Sequence, residues 1–239
     1  MLRPVFRSCG IFRFVRLAVF GSMAAALAGC SDSRPKEPLS LWPYPAIRRV
    51  AVVPLLNFSG DSGLDSLTAT DLLASELTQL GDITVVPVNR VLAALEREGI
   101  ANVRSPRHAM ELCRAVGSDA VIVPAITEYD PYEPMSIGLA MELYTLPEFD
   151  PDGQQTRNVS ITGPAPMAQM QRIFDASQKP VARAVEHFGK RRGSDAGPFG
   201  WRRYLVTQEG FLRFCFAEGL RIMLNENSVQ MDLPETTDG

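Results

Sequence analysis

Only two histidines, four cysteines and two tryptophans occur in 239 residues. Four cysteines at this length do not make a disulfide scaffold. His108 and Glu111 share a helix face at i, i+3, which is half a metal site. His187, beside Glu186, stands far away in sequence, so no second pair completes the shell, and no metal or cofactor is expected. Neither Cys113 nor Cys215 has a histidine at a catalytic spacing, which argues against a thiol nucleophile. Gly60-x-x-Gly63 precedes a helix start but brings neither a Walker lysine nor a G-x-G-x-x-G pattern. Asp61 and Asp65 would repel phosphate there and lack EF-hand spacing, so the segment reads as a tight turn plus a helix N-cap. Positive charge is not in excess: 24 Lys+Arg stand against 27 Asp+Glu, for a formal charge of -3. No nucleic-acid footprint is expected from such a balance. What remains is a chain with 46% hydrophobic residues, enough for one medium domain and too apolar for general disorder. No catalytic constellation emerges, and the expectation is that the protein is not an enzyme.

Residues 1–29 hold four arginines (Arg3, Arg7, Arg13, Arg16) and no acid. The apolar run 17–28 that follows is too short to cross about 30 Å of hydrocarbon. A charged n-region and a short h-region are the marks of a secretory signal. The run ends Leu27-Ala28-Gly29-Cys30, which resembles the bacterial lipobox. That resemblance implies cleavage before Cys30 and acylation of its thiol and new amino group with palmitate-type chains. The four arginines leave with the signal, which takes the formal charge from -3 to -7. Several acyl chains on one cysteine anchor firmly, at about 0.8 kcal/mol per buried CH₂. Ser31 resembles the residue that sorts such proteins to the outer membrane. After Cys30 no stretch reaches 18 apolar residues, so no spanning helix is expected.

Residues 30–46, with four prolines between 31 and 45, read as a flexible tether, with Trp42 and Tyr44 near its end packing on the domain. An α/β domain is expected over 47–228. Val50–Val53 is short, β-branched and apolar, the pattern of a strand buried on both faces, with Pro54 limiting its ladder. A helix is expected over 65–80, its stripe formed by Leu67, Leu73, Ala74, Leu77 and Leu80, with Gly81 as C-cap. Ile83–Val86 follows as a second strand. Asn89 is placed as the cap of a helix covering Val91, Leu92 and Leu95, closed by Gly99. Ser105-Pro106 opens the next helix, with Ala109, Leu112, Cys113 and Val116 inward and Gly117 at its end. Val121–Val123, ended by Pro124, is a third strand, and 137–146 a hairpin arm. The segment 147–168 is proline-rich and reads as a long loop insertion. A returning strand is expected over 169–174 and C-terminal helices over 179–226. The last of these runs over 204–225, with Leu212, Cys215, Phe216, Gly219, Ile222 and Met223 inward. The tail 229–239 is read as loose. Cys113 and Cys215 both fall on apolar helix faces; burial as thiols is favoured, and a disulfide between them stays open.

Val50–Asn57 (VAVVPLLN), Gly60-Asp61, Thr84–Pro87 (TVVP) and Gly117–Val123 (GSDAVIV) form an ordered set. Over about 47–129 the set resembles bacterial envelope domains related to the TolB amino-terminal domain. That group includes curli-secretion lipoproteins and lipoprotein activators of penicillin-binding proteins. Leu55 stands where the group commonly has Phe, and Pro124 where it has Gly. The resemblance implies a mixed β-sheet flanked by helices and an interaction or assembly role, and it supplies no binding residue.

Lys190, Arg191, Arg192, Trp201, Arg202 and Arg203 surround a glycine-rich loop and form a candidate interaction surface for anionic headgroups or an acidic partner. The expectation is a lipid-anchored envelope protein facing the periplasm, with the outer membrane favoured. It would act as a non-enzymatic binding or assembly module for an envelope protein partner. Two alternatives are kept. One is a small-molecule-binding lipoprotein, with Trp201 and 147–168 as pocket walls. The other is a subunit of a curli-type secretion assembly, which needs barrel-forming segments that only 135–146 approaches.

Overall fold

Val50, Ala51, Val52 and Val53 are all buried, and alternate residues enter two different cores. A strand inside a sheet covered on both faces needs this composition. The computed structural model describes residues 40–147, 159–160, 163–193 and 198–231. The elements run β1 (Ser40–Leu41), β2 (Arg49–Val52), β3 (Leu56–Asn57), α1 (Ser66–Leu77), β4 (Leu80–Gly81), β5 (Thr84–Val85), α2 (Val88–Glu98), α3 (Pro106–Val116), β6 (Ala120–Asp130) and β7 (Ser136–Thr145). A small hairpin of β8 (Val159–Ser160) and β9 (Gly163–Pro164) precedes β10 (Ala168–Asp175). The chain then forms α4 (Lys179–Arg191), a 3-10 turn (Gly200–Arg202), α5 (Arg203–Val206) and α6 (Gln208–Met231).

The main sheet is mixed, in the order β10-β7-β6-β2-β5, with β3 also on β6. β2 pairs in parallel with β5 and β6; β6, β7 and β10 form an antiparallel meander. This is the mixed α/β architecture expected from the sequence. β2 and β3 are one strand interrupted at Pro54. The interruption also accommodates Pro124, which lies inside β6 and does not end it. Ile122 and Ile126 turn their carbonyls toward β2–β3, accepting from Val53 and Phe58. Pro124, two residues from each, turns the same way, so its missing N–H faces the gap. On the other side of the gap the Leu55 N–H donates to Thr70 Oγ1 at 2.9 Å. That contact explains why a threonine of α1 is fully buried.

One core lies between the sheet and α1, α4, α5 and α6, and holds Phe174, Phe188, Phe211, Phe214 and Phe216. The other lies under α2 and α3. Cys215 belongs to the first and Cys113 to the second, so the sheet separates the two thiols and no disulfide joins them. Trp42 and Tyr44 pack edge-to-face at 5.6 Å in the first core, and β1 pairs with β4, so the end of the expected tether is part of the fold.

α3 has the expected bounds, cap and inward residues. Gly99 and Gly117 are left-handed C-caps, a conformation glycine adopts without penalty. Elsewhere local signals lose to pairing. α1 stops at Leu77 because Leu80 and Gly81 pair with β1, so Gly81 is not its C-cap. Its buried face runs through Ala69, Leu72, Leu73, Glu76 and Leu77, leaving Leu67 50% exposed. Pro87 holds the N-cap position of α2 with no side-chain cap, so Asn89 lies inside the first turn. The last helix is broken at Thr207, whose extended backbone ends α5 and whose hydroxyl accepts from the Gly210 N–H. Most of the expected 147–168 insertion and the 229–239 tail lie outside the described residues.

Candidate functional site

Helix lengths decide which part of the sheet is covered. α6, with 24 residues, is about 36 Å long and matches the 11-residue β6, at about 37 Å. α2 and α3 have 11 residues each, or about 16 Å, and reach less than half as far. The second face of the sheet is therefore open, among the described residues, beyond the N-terminal end of α3. A cavity of about 290 Å³ sits there. Leu56, Val123, Ala125 and Ala140 floor it; Phe58, Arg104, Glu142 and Gln171 stand around it. The Arg104 guanidinium lies 6.0 Å from the Phe58 ring centroid, a cation–π distance. Phe58 is 54% exposed. Ile173, two residues along β10 from Gln171 and on the same face, is 56% exposed. The Tyr144 hydroxyl donates to Glu142 at 2.9 Å. Burial first, and the Glu142 carboxylate second, hold that phenol well above its ordinary range, so it stays a donor. The arrangement is an apolar floor with one carboxylate, one guanidinium and the exposed Phe58 ring around it, and Ile173 exposed farther along the same sheet face. It is equipped to bind, and no nucleophile paired with a base lies among these residues.

The basic segment separates into two roles. Arg192 leaves the surface: with Arg213 it pairs to Glu76, a buried acid on α1. Arg192 also lies over the Phe188 ring at 4.4 Å. Its side chain is largely buried and its charge is compensated by Glu76, unlike the exposed Arg191 beside it. Trp201 packs on Gly189, where an added Cβ would stand 2.6 Å from the Trp201 Cβ. Arg202 stacks on Trp201 at 5.0 Å and Arg203 on Tyr204 at 4.8 Å. Lys190 pairs with Glu186 at 2.7 Å, and Arg191 is exposed beside it. Cys30 and the lipobox residues Leu27, Ala28 and Gly29 lie outside the described residues.

The other candidate residues make local contacts. The His108 N–H donates to the Ser105 cap, and Glu111 pairs with Arg107, not with a histidine. Among the described residues no three His, Cys, Asp or Glu side chains converge on a metal-sized site. Asp61 accepts from the Gly63 N–H, and Asp65 from those of Leu67 and Thr68, giving the expected turn and N-cap. Sequence reading missed the open face and Glu76. Ala125 and Ala140 look like ordinary core residues, and Glu76 finds partners 116 and 137 positions away.

The fold and the site together define an open, mixed α/β domain with one half-covered sheet face. No protein-family model and no curated protein matches the sequence. Among solved structures, the chain is similar to the C-terminal domain of LpoB from Salmonella enterica, with 18% identity, 54% of this chain and 82% of that chain covered, and a TM-score of 0.38. It is also similar to lipoprotein GNA1162 from Neisseria meningitidis, with 18% identity, 62% and 99% covered, and a TM-score of 0.40. The PelC dodecamer from Paraburkholderia phytofirmans gives 14% identity, 75% and 89% covered, and a TM-score of 0.34. Likeness at these values assigns no site and no partner.

Proposed function

We propose that the chain is a lipid-anchored protein of the cell envelope whose α/β domain binds another envelope component through the open half of its sheet, without catalysing a reaction. The observation that carries this reading is the pair Phe58 and Arg104 at the cavity, with Ile173 exposed on the same sheet face two residues beyond Gln171. Two of these are large apolar side chains more than half exposed. Interfaces are built around such anchors, with aromatic and Arg side chains enriched. The envelope part rests on the signal pattern and on Cys30, and the outer membrane on Ser31. Confinement near the membrane raises the domain's effective concentration for a partner on the same surface. A small-molecule ligand is the second reading, since about 290 Å³ falls at the lower edge of ligand pockets.

The test is affinity capture of tagged full-length protein extracted in mild detergent, with the bound chains identified. Phe58→Ala/Ile173→Ser and Ala140→Arg are compared with the parent. The first pair trims exposed side chains and should change stability by no more than about 0.5 kcal/mol; the second fills the cavity floor. A partner held by the parent and lost from both variants supports the reading. A partner retained by both overturns the assignment to this face.

A further inference from the structure

α4 has two clean sides. Val181, Val185, Phe188 and Gly189 are buried against the first core. The opposite side carries Lys179, Arg183, His187, Lys190 and Arg191, all exposed, within about a third of the helix circumference at 100° per residue. Glu186 is the one acid among them, and it pairs with Lys190. Its carboxyl is held below the usual range by that hydrogen bond first and also by neighbouring positive charge; Arg202 stacks on Trp201, which packs on Gly189 of the same helix. The 3-10 turn that packs on α4 through Trp201 and Gly189 presents Phe199, 65% exposed. Within α4 and the 3-10 turn, five exposed Lys and Arg side chains against one acid thus adjoin an exposed aromatic ring. This occurs on a chain whose formal charge is -3 and falls to -7 without residues 1–29.

We propose that this face docks on anionic phospholipid headgroups, with Phe199 entering the interface. Charge complementarity and tether length favour a lipid surface over a protein. Nine residues, 31–39, separate Cys30, read as acylated, from β1, and the ten chain steps between them span at most about 36 Å. The domain therefore works within one domain diameter of the headgroups. The apolar side of α4 is committed to the core, so docking is electrostatic with one aromatic anchor and does not require the helix to insert. The inference rests on the anchored reading for proximity and is independent of the sheet face.

The test reconstitutes the acylated full-length chain in vesicles of phosphatidylcholine, alone or mixed with phosphatidylglycerol. A polarity-sensitive dye is attached through Phe199→Cys; Cys113 and Cys215 are buried and should not compete. Retention in neutral vesicles reads the anchor separately, so its failure is distinguishable from failure of docking. The expected result is a blue shift confined to phosphatidylglycerol vesicles. It should reverse at about 1 M salt, where the screening length falls to about 3 Å. Lys179→Glu/Arg183→Glu should lower the docking equilibrium about tenfold or more. Both positions are exposed, and acids in a first helical turn are favoured, so an unchanged melting curve is the fold control. Equal emission from the two vesicle types overturns the proposal. So does a shift that ignores salt and charge reversal. Salt-sensitive crosslinking of this face to an acidic envelope protein, with no lipid dependence, would reassign it to that partner.

Discussion

Thr70 and Glu76 are polar, lie mid-helix and are buried, and each is explained by a contact far along the chain. Thr70 satisfies the backbone where β2 breaks at Pro54. Thr70→Val keeps the volume but leaves the Leu55 N–H without its acceptor, and should cost about 1–3 kcal/mol in urea denaturation. Glu76 holds Arg192 and Arg213 together. Glu76→Gln removes the charge that compensates both. The expected cost is about 2–3 kcal/mol, below the roughly 3–5 of a fully enclosed pair, because both guanidiniums keep some solvent. Neither role is visible in the sequence, where Glu76 is an acid between Ser75 and Leu77 with no partner at helical spacing. The two core thiols were legible, since Cys113 and Cys215 sit on apolar stripes. Burial pushes the Cys215 thiol well up from its ordinary range. Neither thiol should take up a maleimide in the native protein and both should do so in denaturant, read by intact mass; a pair that stays unlabelled in denaturant would mean a disulfide.

At the scale of elements, what the sequence announced was whatever depends on neighbours a few positions away. Ser105-Pro106, Gly99 and Gly117 mark helix ends because their hydrogen bonds are local. The end of α1, the length of β6 and the break before α6 depend on pairing or packing, so periodicity misplaced them. Asp65 is a local feature with a pH signature. Donors from Thr68 first, and from Leu67, favour its charged form and hold its carboxyl below the usual carboxylate range. The sign follows: its contribution is present above the unfolded value and is lost as pH falls through the lower folded one. Asp175, lowered by Ser177, acts in the same direction ahead of α4. Stability should therefore decline below about pH 4. Asp65→Asn, which keeps a cap acceptor, should flatten part of that acid limb in a series of denaturant melts. The seat of Trp201 makes a second prediction. Gly189→Ala places a methyl group 2.6 Å from the Trp201 Cβ and 3.0 Å from its Cα. It should cost about 1–3 kcal/mol and change the tryptophan emission.

For the whole molecule, alternation of short apolar strands with capped helices was enough to expect a mixed sheet covered by helices. It was not enough to expect that the covering is unequal. Ala125 and Ala140 follow the same alternation as buried neighbours, and their exposure depends on where α2 and α3 end over the sheet. Among the described residues, that inequality leaves one sealed face and one half-open face. Of the basic residues expected together around 190–203, Arg192 is largely buried against Glu76, while Lys190 and Arg191 continue an exposed basic side of α4 that reaches Lys179. Capture of tagged full-length protein in mild detergent, parent against Phe58→Ala/Ile173→Ser, tests the central claim most directly. The account predicts a defined envelope partner on the parent and its loss from the variant, with equal membrane retention and equal melting. A partner held equally by both proteins would contradict it.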